Sequence, residues 1–177
     1  LLVGTGLLAR TLYNIERIDL GYDVDKVITV SARDSARLVR LPAVAEMARS
    51  LPGVSHVALT GIPPLDGRFG ARRIFTRAGD TVTALGQYGS YMIVGPQYLA
   101  TVGTRVIRGR DITDDDRVGA PPVVVLSEEA ATLIWPKGNA LGECLRMYTP
   151  RSPCYTVVGI AENAHGYRLV EEPSAVL

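Results

Sequence analysis

Much is missing from this sequence, and each absence excludes a class of function. No Gly-x-x-x-x-Gly-Lys-Ser/Thr phosphate loop occurs in the 177 residues, and no Gly-x-Gly-x-x-Gly fingerprint follows a strand. The chain therefore lacks the usual means of cradling and hydrolysing ATP. A Gly-x-Ser-x-Gly nucleophile elbow is also absent. No run reaches the ~18–20 apolar residues of a membrane span. Neither sign of charge dominates: 19 basic residues meet 18 acidic ones, for a net charge of +1. A dedicated nucleic-acid binder carries a basic excess, so that class is disfavoured. With only two cysteines and two histidines, far apart in sequence, a zinc site has no ligand set. His56 falls inside a predicted strand and reads as structural. His165, between Asn163-Ala164 and Gly166, reads as a turn residue.

What is present is ordinary globular material. Hydrophobic residues make up 47% and charged residues 21%, enough for a core in one medium domain or two small ones. Leu1 to Ala9 are apolar or small except Thr5, and an amphipathic stretch with Leu12, Tyr13, Ile15 and Ile18 follows Arg10. Two readings stand: a buried N-terminal helix, or the last turns of a membrane span with Arg10, Tyr13 and Arg17 at headgroup level. A signal peptide fits neither flank. The start at Leu1 and the finish on Ala175-Val176-Leu177 lead to the expectation that both ends are cuts through a longer protein.

Along the chain, Lys26–Ser31 and Val54–Thr60 are predicted strands. Between them, Pro42 suits a helix first turn. Val44, Met47, Ala48 and Leu51 then keep the spacing of one buried helix face, and Leu51-Pro52-Gly53 stops it. The turn-rich Gly61–Gly70 is a plausible subdomain boundary. Beyond it, Ala71–Arg77 and Thr81–Val94 read as strands joined through Ala78-Gly79-Asp80. A helical turn over Pro96–Val102, a strand over Thr104–Gly109 and an acidic loop over Asp111–Ala120 follow. Pro122–Leu126 is apolar throughout, which predicts a strand buried on both faces. Ser127 can cap a helix with Glu128 and Glu129 in its first turn. Ala130, Ala131, Leu133 and Ile134 form its apolar side, and Pro136 ends it.

Cys144 and Cys154 flank Thr149-Pro150-Arg151-Ser152-Pro153, a turn between two strand-like runs. A hairpin would bring the sulfurs together, and a disulfide there would contribute roughly 2–3 kcal/mol and imply an oxidising compartment. Two unpaired cytosolic thiols are the other reading. Among the carboxylates, Asp111, Asp114, Asp115 and Asp116 are the best metal candidates, but their spacing is not an EF-hand's and no glutamate closes the loop. A solvated loop is preferred. Arg68, Arg72, Arg73 and Arg77 cluster beside Phe69 and Phe75. They read as a charged hairpin edge in preference to a patch for an anionic partner.

Several ordered stretches resemble a known family. They run from Leu1–Leu12 and Asp19-Leu20-Gly21-Tyr22-Asp23 through Leu51-Pro52-Gly53-Val54 and Ile62-Pro63-Pro64-Leu65. Val94-Gly95-Pro96-Gln97-Tyr98-Leu99, Arg108-Gly109-Arg110-Asp111-Ile112-Thr113 and Val123–Ser127 come next. Trp135-Pro136, Ala140-Leu141-Gly142, Val157-Val158-Gly159-Ile160 and Glu171-Glu172-Pro173-Ser174 complete the set. Together they resemble the MacB-like periplasmic core domain of ABC-type permeases, in particular the duplicated orphan permeases related to MacB and FtsX. Lys137 stands where the family commonly has glycine after Trp-Pro.

The resemblance implies an α+β fold with a β-α-β porter-type unit and an inserted, strand-rich Sabre-like subdomain, preceded by the end of a membrane helix. On that expectation residues 1–24 are the helix end and linker, 25–60 the first porter-like unit and 61–177 the Sabre-like subdomain, with the second porter unit beyond Leu177. The implied disulfide is Cys144–Cys154, since many such permeases carry one around this hairpin. The implied function is a domain in the periplasm, attached to the cell inner membrane by flanking helices. It would couple a cytoplasmic ABC ATPase to periplasmic movement or export, with a periplasmic adaptor or a second permease copy as further partners. No catalytic, cofactor-binding or metal residues are expected. Two rival readings are a secreted ligand-binding or adaptor module, with a pocket near Gly61–Gly70, and a metal-assisted hydrolase using Asp111–Asp116.

Overall fold

The computed structural model describes residues 2–16, 21–23, 25–32, 40–62, 70–78 and 81–164. Two helices precede the sheet: α1 (Leu2–Glu16) and α2 (Leu41–Arg49). Then come β1 (Gly70–Ala78), β2 (Thr81–Tyr91), α3 (Tyr98–Val102), β3 (Val106–Gly109), β4 (Val123–Ser127), α4 (Glu128–Ile134), β5 (Cys144–Met147) and β6 (Tyr155–Ala161). The fold is α+β.

The six strands form one sheet, in the order β2-β1-β5-β6-β3, with β4 also paired to β6. The β1–β2 hairpin closes at Ala78↔Thr81, around a turn whose Gly79 and Asp80 lie outside the described residues. β6 organises the rest. β4 runs parallel along one edge of it, from Val123↔Thr156 to Ser127↔Ala161. β5 and β3, both antiparallel, share the other edge: β5 pairs at Tyr155 and Thr156, and β3 at Gly159 to Ala161. Two glycines permit that crowding. A Cβ on Gly159 would lie 2.1 Å from the Arg110 carbonyl oxygen, and Gly109, at φ +77, would put one 2.2 Å from that of Val158. Neither position admits a side chain without moving backbone.

The β4–α4 junction follows directly from its sequence. Ser127 is extended, and its Oγ accepts a hydrogen bond from Ala130 N at 3.1 Å. That satisfies one of the donors a helix start leaves open. Glu128 and Glu129 occupy the first turn, where the helix dipole favours acids. Ala130, Ala131 and Ile134 are buried under the helix, while Leu133 is exposed. They pack with Val124 and Leu126 of β4, Leu145 and Met147 of β5, Val157 and Ile160 of β6, and Ile74 of β1 into one core. Trp135 and Tyr155 lean on its rim. Val123 and Val125 are only half buried, so β4 is closed on one face and not on both, because its other face borders the cavity described below.

The first sixty residues depart from expectation. Residues 26–31 and 54–59 form no strand, because an extended segment becomes a strand only by finding a ladder partner. Thr60, bridged to Val94, is the one paired position. His56 is consequently exposed, in no strand. α2 forms where the periodicity puts it, with Pro42 in its first turn, but its predicted buried face is open. Met47 is 71% exposed, Leu51 57% and Val44 43%, and only Ala45 is buried. Ile28 stands 91% exposed nearby in sequence. Among the described residues, nothing covers this apolar surface. At the arginine cluster, β1 pairs with β2 along its length but with β5 only at Ile74, Phe75 and Thr76, so the ladder to β5 does not include Arg72, Arg73 or Arg77, and Phe75 is buried. Arg68 and Phe69 lie outside the described residues, as does His165.

Candidate functional site

The described residues offer four local arrangements. In the β5–β6 hairpin, Cys144 is bonded to Cys154 across a separation of 10 residues, with Cα atoms 5.5 Å apart. The turn is held by its polar residues: Ser152 N donates to the Thr149 carbonyl at 3.1 Å, and the Thr149 and Ser152 hydroxyls meet at 3.0 Å. Tyr148 takes a positive φ of 75° to enter it. Arg146 donates to the Ser152 carbonyl.

The acidic loop is organised by an arginine. Arg110 grips Asp116 with two bonds, Nη1 to Oδ2 at 2.6 Å and Nη2 to Oδ1 at 2.9 Å. Thr113 donates to Oδ2 from its backbone N at 2.8 Å and from Oγ1 at 3.1 Å. These donors, the Arg110 guanidinium first, hold the Asp116 carboxyl down to about 2. Asp111 accepts from Ile112 N at 2.7 Å. Asp114 and Asp115 point to solvent. The four aspartates therefore do not converge, and among the described residues no group of three or more His, Cys, Asp or Glu is placed to hold a metal ion.

The third arrangement is surface. α1 exposes Leu7, Leu8, Leu12 and Tyr13. With 15 residues it is ~22 Å long, short of the ~30 Å of a bilayer core. Among the described residues, no helix is long and apolar enough to cross a membrane. Among the described residues, α2 likewise exposes Val44 and Met47.

The fourth was not foreseen. A cavity of about 270 Å³ lies beside β4, walled by Ile93, Val94, Leu99, Ile112 and Val125, with Tyr98 and Met92 among its lining. Of the described residues in Gly61–Gly70, where a pocket was sought, none lines it, although Gly61 N bonds the carbonyl of the lining residue Ile93 at 2.8 Å. The signal that could have found it is the apolar run Met92-Ile93-Val94, which continues past the end of β2 with no strand to join. Asp23 N bonds the Val102 carbonyl at 2.9 Å, and Thr104 Oγ1 bonds the Gly21 carbonyl at 2.7 Å. Both tie residues 21–23 to α3, and Tyr22 also lines the cavity.

The chain is similar in fold to the periplasmic region of MacB from Actinobacillus actinomycetemcomitans, with a TM-score of 0.52 and 18% identity over 76% of this chain and 53% of that one. It is also similar to the extracellular domain of the noncanonic ABC-type transporter YknZ from Gram-positive bacteria, with a TM-score of 0.46 and 15% identity over 75% of this chain and 57% of that one. The chain thus spans about half the length of the structures it matches. No curated protein matches it. The model of the MacB-like periplasmic core domain matches residues 1–172, and the chain belongs to that family.

Proposed function

We propose that this chain is the periplasmic domain of an ABC-type permease of the cell inner membrane, and that it passes on movement driven by a cytoplasmic ATPase while performing no chemistry itself. The family match over residues 1–172 carries the reading. Two features of the geometry support it. α1 presents an exposed apolar surface, with Leu7, Leu8 and Leu12, suited to a membrane-facing helix. α2 and the extended residues around it present an apolar face without a cover, suited to a mechanical contact with another part of the assembly.

On the same proposal, residues 25–60 are the first porter-like unit and 61–177 the strand-rich Sabre-like subdomain. The Cys144–Cys154 bond belongs to an oxidising compartment. Export of cargo, contact with a periplasmic adaptor and pairing with a second permease copy are the finer expectations of this reading.

The test is topological. In the full-length permease, alkaline phosphatase inserted at the exposed turn around Val118-Gly119 is active only outside the cytoplasm. A fluorescent protein that folds only inside stays dark at the same site. A dark phosphatase and a bright fluorescent insert would overturn the proposal.

A further inference from the structure

The cavity beside β4 has a definite chemistry. Its walls are mostly apolar, from aliphatic residues such as Ile93, Val94, Leu99, Ile112 and Val125 and from tyrosine rings, among them Tyr98 and Tyr155. Two carboxylates also line it, Asp111 and Glu162, while no lysine, arginine or histidine does among the described residues. Glu162 is engaged by Arg105 from outside, Nε to Oε1 at 3.0 Å. Among the described residues, Asp111 is in no salt bridge. A ligand with a negative charge would meet a carboxylate and no counter-charge, in surroundings where desolvation raises the penalty.

One polar group inside is unfinished. Tyr98 is 4% exposed, and its hydroxyl donates to the Met92 sulfur at 3.9 Å. A thioether is a weak acceptor. No donor among the described residues approaches the Tyr98 oxygen, so its acceptor capacity is unused. Of the other hydroxyls of the lining, Thr104 bonds the Gly21 carbonyl, Ser127 accepts from Ala130 N, and Tyr91 and Tyr148 meet at 3.2 Å, while Tyr22 and Tyr155 are only partly buried. A buried polar oxygen facing an apolar space marks where a ligand's donor would sit. At about 270 Å³, the space is at the small end of ligand sites. It suits a compact two- or three-ring molecule or a short alkyl chain, not a folded segment of protein.

We propose that this cavity is a binding site for a small uncharged apolar molecule carrying one hydrogen-bond donor, such as an aryl amine, phenol or alcohol, with the Tyr98 oxygen accepting that donor. The site stands on the cavity alone and does not depend on the domain's role in a permease.

Two fluorescent probes differing in one group test it on the full chain. Phenylnaphthylamine has aromatic rings and one N–H, and anilinonaphthalene sulfonate adds an anionic sulfonate to the same frame. Wild-type protein should bind the neutral probe saturably at one site, and the sulfonate at least tenfold more weakly. Tyr98→Phe keeps the ring and should weaken the neutral probe about fivefold, the worth of one hydrogen bond. Val94→Trp fills the space and should weaken it more than tenfold. The pair Val44→Ser and Met47→Ser alters the exposed face of α2 and should leave binding unchanged. A readout independent of any variant is peroxide oxidation of Met92, which the neutral probe should slow. Equal affinity for both probes, loss of binding in the α2 pair with retention in Val94→Trp, or Met92 oxidation unmoved by saturating probe would each overturn the proposal.

Discussion

α2 and α4 are short amphipathic helices with nearly opposite fates. α4 (Glu128–Ile134) lies on β4 and β6 and buries Ala130, Ala131 and Ile134. α2 (Leu41–Arg49) carries an equally regular apolar stripe and buries Ala45 alone. The difference lies in what each stripe meets. α4 follows β4 immediately, through the Ser127 cap, so the connection itself lays it against the sheet. In the described residues 25–32 and 50–62 around α2, Thr60 alone sits in a β-bridge. Periodicity identifies a face; only topology supplies what covers it. In a protein whose folding margin is a few kcal/mol, the sheet half holds the domain together. Among the described residues, the α2 half leaves its apolar face exposed.

The contrast can be broken or sharpened by substitution. The largest effects belong to the sheet half. Gly159→Val drives a side chain into the Arg110 carbonyl, 2.1 Å from the would-be Cβ, and should cost about 4 kcal/mol or prevent folding. Leu126→Ala, at a position fully buried in the core, should cost about 3 kcal/mol. Urea unfolding measures both.

Reducing Cys144–Cys154 should cost about 2–3 kcal/mol, since the bond closes a loop with a separation of 10 residues. Unfolding with and without reductant checks this, and thiol titration of denatured, unreduced protein should find no free thiol.

Arg110→Ala should cost about 1 kcal/mol, because the guanidinium is half exposed and its charged hydrogen bonds are partly screened. Its pH signature is distinctive. Asp116 is held at about 2 against an ordinary 3.8, so its stabilisation is present above about pH 4 and is lost as pH falls toward 2. Wild type should lose stability across that window, and Arg110→Ala should lose less. In the α2 half, by contrast, Met47→Ser removes a side chain 71% exposed and should shift unfolding by no more than about 0.5 kcal/mol.

Much of the sheet half was legible in the sequence because its signals are local. The Ser127 cap, the two acids after it and the apolar run Val123–Leu126 each specify structure within a few residues. The Cys144–Cys154 hairpin and the short helix at Tyr98 were legible for the same reason. What failed was non-local. Nothing in Lys26–Ser31 reveals that it finds no ladder partner among the described residues, and nothing in Val44, Met47 and Leu51 reveals that no described residue covers their face. The Asp111–Asp116 loop looked like a row of metal candidates. Its organiser, Arg110, is adjacent in sequence, yet the clasp on Asp116 depends on how the loop turns. The cavity was invisible because its walls come from segments distant in the chain, and the Tyr98 hydroxyl gains meaning only beside Met92.

The most direct test of the central claim uses methionine oxidation, since Met47 lies on the open face of α2 and Met147 in the sheet core, 71% and 6% exposed. In the isolated domain, dilute peroxide should oxidise Met47 rapidly and leave Met147 reduced. In the full-length permease reconstituted with its ATPase, Met47 should be protected at rest, and its rate should change during ATP turnover while Met147 stays unreactive. If Met47 oxidises in the full-length permease as fast as in the isolated domain, and at the same rate with and without ATP hydrolysis, the open face is not a moving contact and the account is contradicted.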